Sequence, residues 1–203
     1  CPNDSGCPPQ IVGRIQHFIS RKAMDIEGLG SETVLQLYQA GLISNYADLY
    51  DLKTSQLLPL ERMAQKSAEN LVRGVENSIK IPFERVLFAL GISYVGETVA
   101  KKLARHYGNI EALMKANVED LVNVDEIGHR IAESVVSFFR KEENLLLVKR
   151  LQSYGLQMQV ENKDQPVSYI LKGKTLVVSG AFENLSREEL KNRIELNGGK
   201  VGS

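Results

Sequence analysis

Tryptophan is absent from this 203-residue sequence, and tyrosine and phenylalanine together bring the aromatic share to only 6%. A base-stacking platform for single-stranded nucleic acid needs more aromatic surface than that. An excess of either charge is also missing: 25 Lys plus Arg face 25 Asp plus Glu, and residues 81–150 carry ten of each sign. Any polyanion must therefore be held by something other than a basic stripe. No run approaches the roughly 18 uninterrupted apolar residues of a membrane span, and no charged and apolar leader opens the sequence. A soluble, cytoplasmic chain without membrane contact is expected, and its start at Cys rather than Met reads as a piece of something longer.

Cysteine occurs only as Cys1 and Cys7, in CPNDSGC. A small disulfide loop, half of a metal site and two unrelated thiols all fit that spacing. His17 is a conceivable further metal ligand, but beside Phe18 and Ile19 on a helix it reads as a packing or surface residue.

What is present is a repeat. EGLGSETVLQLY, ERMAQKSAENLV, SYVGETVAKKLA and DEIGHRIAESVV carry a small residue at Gly30, Ala64, Gly96 and Gly128, spaced 34, 32 and 32 positions apart. An apolar residue precedes each one: Leu29, Met63, Val95 and Ile127. Four positions on come Val34, Ala68, Ala100 and Ala132, and seven on come Leu37, Leu71, Leu103 and Val135, a spacing that puts them on one helix face. A period of 64 overlays residues 45–60 on 109–124 without a gap, Asn45 on Asn109 and Leu49 on Leu113. The unit is a pair of helix-turn-helix elements, and the pair occurs twice, with helices dominating residues 12 to about 155.

A glycine at the turn permits positive φ and lets another backbone come close. The helix that follows leaves its first amides unpaired, and these amides with the helix dipole hold an oxyanion such as phosphate. That device requires no net positive charge. Lys66, Ser67, Thr98, His129 and Arg130 lie just inside the second helices, where side chains reach the same phosphates or stand as solvated surface groups.

These segments resemble the helix-hairpin-helix motif, which grips DNA backbone without reading sequence. EGLG fits best, with Gly28 and Gly30 both present. Arg62, Tyr94 and Glu126 replace Gly28 in the other copies, and Glu126 beside Asp125 is expected to weaken the fourth hairpin. The resemblance implies DNA contacts at Gly28, Leu29, Gly30, Met63, Ala64, Lys66, Ser67, Val95, Gly96, Thr98, Ile127, Gly128 and Arg130.

Two longer runs, HFISRKAMDIEGLG (17–30) and RVLFALGISYVGETVAKKLA (85–104), resemble the bacterial NAD-dependent DNA ligases. That likeness implies a mainly α fold of four tandem helix-hairpin-helix motifs in two pairs, followed by a truncated α/β BRCT segment. It places the second half of a four-cysteine zinc finger at 1–12, the DNA-binding domain at 13–158, a linker at 159–171 and the start of the BRCT domain at 172–203. In that last part GKTLVVSGAF reads as a buried strand, and Ser186 as the N-cap of a helix with Glu189 three residues on and a stop at Gly198 and Gly199. Ser179 and Gly180 read as a strand-end turn rather than a phosphate site. With its core incomplete, residues 160–203 are expected to be mobile.

The implied reaction of the parent enzyme runs in three steps. A lysine takes AMP from NAD and releases nicotinamide mononucleotide, AMP passes to a 5′ phosphate at a nick, and the 3′ hydroxyl displaces it, with Mg neutralising phosphate charge. No catalytic residue falls in this chain, so the piece alone is expected to be inactive, a monomer that adds grip on nicked double-stranded DNA. The resemblance makes Cys1 and Cys7 zinc ligands of the parent, two of the four a structural site needs. A stand-alone helix-hairpin-helix module and the C-terminal region of a nucleotide excision nuclease are the alternatives, as is a protein-binding helical repeat.

Overall fold

The computed structural model describes residues 7–160, 170–180, 182 and 185–202, in two compact units divided between Val160 and Glu161. Proline opens the first helix. Pro8 and Pro9 stand in its first turn, where an amide has no intrahelical partner to lose, so α1 (Pro8–Ile19) starts directly after Cys7. One helix thus crosses the boundary set at 12/13 from sequence. Ile15, Phe18 and Ile19 form its buried stripe.

Two pairs of hairpins follow. The first comprises α2 (Ser31–Gln39), a 3-10 helix (Tyr46–Asp51), α3 (Thr54–Leu57) and α4 (Gln65–Ser78). The second comprises α5 (Phe83–Ala89), α6 (Glu97–Tyr107), α7 (Ile110–Lys115), α8 (Val118–Val122) and α9 (His129–Arg140), after which α10 (Glu142–Ser153) closes the unit. All eight residues of the repeated apolar face, from Val34 and Leu37 to Ala132 and Val135, have 0% exposure. Each Val or Leu buried there stabilises the fold by about 1.5–3 kcal/mol.

The 64-residue overlay is also visible in the backbone. Asn45 (φ −153°, ψ 170°) and Asn109 (φ −151°, ψ 165°) cap the 3-10 helix and α7, their side chains accepting from the amides of Ala47 and Ala112. The two segments are then fastened differently. Asp48 accepts from the Ser44 and Asn45 amides (2.7 and 3.0 Å) and from Arg150 of α10 (2.8 Å), while Arg150 also donates to Asp51 (2.9 Å). Ala112 stands where Asp48 does, and α7 is held by backbone bonds, the Ile110 amide to the Met158 carbonyl (2.9 Å) and the Val160 amide to Gly108 (2.7 Å), and by a neutral donor, Gln152 of α10, to Glu111 (2.6 Å). Residues 159 and 160 therefore belong to this unit, not to a linker, and the rest of the expected linker, 161–169, lies outside the described residues.

His17 packs, as its setting suggested. Its Nε2 lies 2.9 Å from the Phe88 carbonyl and its ring meets Phe88 edge-on at 4.7 Å, joining α1 to α5.

The second unit holds β1 (Thr175–Val177), α11 (Arg187–Leu196) and β2 (Lys200–Gly202). The strands pair in parallel with Leu176 opposite Val201, and α11 is the crossover between them. Ser186 caps α11 in a reciprocal box with Glu189, and Gly198 (φ 80°) ends the turn after it, both as the sequence indicates. The expected buried strand is corrected: Val177 is 63% exposed, β1 pairing with β2 while α11 packs on β2. Gly180 (φ 100°) accepts from Arg187 Nε (3.0 Å) and sits in a turn.

Candidate nucleic-acid interface

The four repeats share one backbone shape. Gly28, Arg62, Tyr94 and Glu126 adopt φ of 81°, 59°, 65° and 64°, the left-handed region. Two residues later Gly30, Ala64, Gly96 and Gly128 are extended (φ −90° to −78°) and serve as N-caps of α2, α4, α6 and α9. None of these four helix starts has a side-chain cap. Backbone bonds to the N-cap carbonyls run from Val34 to Gly30, Ala68 to Ala64, Ala100 to Gly96, and both Ile131 and Ala132 to Gly128, and the amides ahead of these have no acceptor within the helix. Starts at Asn45, Asn109, Asn117 and Ser186 are capped by their own side chains, while α1, α3, α5 and α10 also lack a side-chain cap, the last three without a left-handed turn residue two positions before the cap.

Two expectations about these residues change. Positive φ falls at the Gly28 position, not at Gly30, Gly96 and Gly128, whose backbone any residue adopts. A Cβ at Gly30, Gly96 or Gly128 meets nothing within 4 Å, so no contact inside the chain calls for glycine there. Leu29, Val95 and Ile127 are buried and Met63 is half-buried, so their side chains anchor the hairpins and do not face a ligand. The amides of Met63, Val95 and Ile127 are also taken, by the carbonyls of Leu60, Ile92 and Val124 (3.2, 3.1 and 3.0 Å). The outward-facing positions are Gly28, Gly30, Ala64, Lys66, Ser67, Gly96, Thr98, Gly128, His129 and Arg130, all exposed.

Contacts join the hairpins in series. A Cβ on Gly28 would lie 3.5 Å from the Leu71 backbone, and one on Gly74 would strike the Glu27 carbonyl oxygen, so hairpin 1 rests directly on α4. Lys22, just before hairpin 1, pairs with Glu97 at the start of α6 (2.7 Å). Hairpins 3 and 4 meet through side chains: Ser134 Oγ donates to the Ser93 carbonyl (2.8 Å), and Arg130 donates to the Tyr94 hydroxyl (2.6 Å). Lys102 of α6 reaches Glu126 (2.7 Å) and Asp125 (3.6 Å), and the hydrogen bond to Glu126 raises its pKa. The acidic pair at hairpin 4 is thereby matched by a cation rather than left to face a phosphate. Acidic residues open α2 and α6 (Glu32, Glu97), whereas α4 and α9 open with Lys66 and Arg130 and have no acid in the first turn.

Family profiles divide the chain in the same way. A "SAM-like helix-hairpin-helix tandem" matches residues 20–77, a "helix-hairpin-helix motif" matches 85–148, and a "BRCA1 C terminus (BRCT) domain" matches 166–203. A protein called DNA ligase from Flavobacterium psychrophilum is 66% identical over the whole of this chain, and the match covers 31% of that protein. The chain is homologous to the DNA ligases. A second ligase, from Flavobacterium johnsoniae, is 65% identical over the whole chain and 30% of its own length, and one from Cytophaga hutchinsonii is 49% identical over 31% of its length. The chain thus spans about a third of the ligases it matches.

Cys1 lies outside the described residues. Cys7 is a free, half-buried thiol at the N-cap of α1, and no group of three His, Cys, Asp or Glu lies together among the described residues. The two cysteines of this sequence are half of the donors that a tetrahedral structural site needs. No helix among the described residues is long and apolar enough to cross a membrane. Sequence reasoning missed Gly74, which breaks no pattern and sits mid-helix where glycine is a penalty. A glycine in that place was the available signal for close backbone approach.

Proposed function

We propose that this chain is the duplex-gripping part of a DNA ligase that seals nicks between 5′ phosphate and 3′ hydroxyl ends. The observation that carries the reading is the set of four helix starts with outward amides, each built on the same left-handed turn and none capped by a side chain. A capping Ser, Asn or Asp would stabilise each start by about 1 kcal/mol relative to alanine, and hairpin 2 forgoes that with Ala64. Bare amides at the end of a helix dipole suit the phosphates of a backbone, which position a protein without reading bases. A nick has no sequence of its own, so grip by backbone matches the task. Hydrogen bonds to a charged group contribute roughly 1.5–3 kcal/mol each before ordering costs, so four hairpins together reach useful affinity.

In the parent enzyme NAD supplies the adenylate and Mg neutralises phosphate charge, and no residue of this chain is assigned to either. Fluorescence anisotropy of the 203-residue chain with nicked duplex, intact duplex and single strand tests the proposal. Both duplexes are expected to bind regardless of base sequence, as a monomer and more tightly than single strand, while the chain alone forms no AMP adduct and seals no nick. Absence of duplex binding at about 100 μM, the weak end of non-specific affinities, would overturn it.

A further inference from the structure

Among the non-glycine turn residues in left-handed backbone, Tyr94 carries the bulkiest side chain close to the turn (φ 65°), a conformation such a residue holds only under constraint. Gly28 makes the same turn in hairpin 1 with no side chain at all. The Tyr94 ring is not repaid by the core, since the residue is 55% exposed. What it meets is Arg130, 36 positions away in the opening turn of α9: the guanidinium carbon lies 4.2 Å from the ring centroid, and Nη2 donates to the phenol oxygen at 2.6 Å.

A guanidinium stacked on an aromatic face is held in place before any ligand arrives, so less ordering remains to be done on binding. The phenol takes one of the five N–H donors of the fork, and the others keep the planar geometry that suits phosphate oxygens. The residue at the matching place in α4, Lys66, has the flexible stem of a lysine, and its turn partner is Gly28, which offers no ring.

We infer that Tyr94 is a positioning residue for DNA binding: it holds the Arg130 guanidinium at the start of hairpin 4 for a backbone phosphate of the duplex. This rests on the duplex-gripping reading above. It explains why a strained, exposed tyrosine stands where glycine would serve the backbone better.

The test uses the whole chain in four variants, Tyr94→Gly, Tyr94→Phe, Arg130→Gln and the Tyr94→Gly/Arg130→Gln double, each measured for Tm and for affinity to nicked duplex. Tyr94→Gly is expected to keep or raise Tm, because the strain is relieved, while affinity falls roughly three- to tenfold, the size of a coupled contact pair. Tyr94→Phe keeps the stack and restores most of the affinity. In the Arg130→Gln background Tyr94→Gly is expected to add less than about a twofold loss, as two residues acting as one unit require. Equal affinity of Tyr94→Gly and the unaltered chain overturns the positioning role. So does a full further loss in the Arg130→Gln background, or a fall in Tm that accounts for the fall in affinity. If the unaltered chain binds no duplex, the duplex-gripping reading falls as well; if it binds and Tyr94→Gly binds equally, only the positioning role falls.

Discussion

The two hairpin pairs repeat one backbone with different fasteners. In the first pair hairpin 1 lies against α4 through absence: Gly74 has no side chain to strike the Glu27 carbonyl, and Gly28 sits at contact distance from the Leu71 backbone. In the second, polar and charged side chains span the same junction, Ser134 to Ser93, Arg130 to Tyr94, Lys102 to Glu126. The 3-10 helix of the first pair is tied to α10 by the Asp48–Arg150 ion pair, and α7 of the second by backbone bonds with residues 158 and 160 at its start and by the uncharged Gln152 amide on Glu111. A duplicated fold thus keeps the turn geometry and the buried stripe, and leaves the means of joining free to diverge.

Gly74→Ala should disturb this contrast most. In an exposed helix the change would stabilise by up to about 1 kcal/mol. Here the new Cβ strikes the Glu27 carbonyl, so a net loss of about 2 kcal/mol is expected from urea unfolding, as for other overpacked sites. A stabilised Gly74→Ala would mean that the close packing of the first pair does not matter. Next in size, Gly96→Val places a branched side chain at a helix start with open space around it, and nicked-duplex affinity should drop about tenfold with helical circular dichroism nearly unchanged. Unchanged affinity would remove hairpin 3 from the interface.

Acid should separate the pairs. Burial acts to raise the Asp48 pKa, but bonds from Ser44, Arg150 and Asn45 outweigh it and the net shift is downward. The stabilisation is therefore complete above the ordinary carboxylate value of about 3.9 and is lost as pH falls through the lowered value in the folded state. Protection factors for amide exchange in residues 46–51 should fall on acidification while those in 110–115 do not, and Asp48→Asn should cost about 1 kcal/mol at neutral pH. Parallel behaviour of the two segments would erase the distinction. Ser134→Ala should show the smallest effect, about 0.5 kcal/mol, since its bond to Ser93 is exposed. For the interface as a whole, charge balance calls for a shallow salt response, with a log-log slope no steeper than about −4; a slope near about −8 would mean that cationic side chains carry the grip.

Periodicity made most of the first unit legible. The i, i+4, i+7 residues all became core, and the ungapped overlay of 45–60 on 109–124 became matching Asn caps. Local chemistry was enough because short-range rules set these features: helix faces, caps, turn glycines. Legibility failed where partners are distant in sequence. Nothing in EGLG says that α4 will lie on it, and nothing local ties Arg150 to Asp48 or Arg130 to Tyr94. At the hairpins the pattern was right and the assignment within it was shifted: the left-handed residue sits two positions before the small one, and Leu29, Val95 and Ile127 are anchors of the turn. A hydrophobic residue next to a binding glycine invites the wrong role because core and contact sit side by side in sequence. In the second unit the β-branched run of 175–178 signalled a strand but not its cover, which depends on what packs above it.

The four hairpin helix starts, which have no side-chain cap, also set a clock. Amides with no acceptor exchange with solvent at rates close to those of an unfolded chain, even when the helix behind them is rigid. Ser31, Gln65, Glu97 and His129 head helices that each bury one face from the second turn on, so a gradient of exchange lifetimes should run along each helix. Where a duplex settles, the fast end of that gradient slows first, and the order in which the four starts slow would give the order in which the hairpins engage.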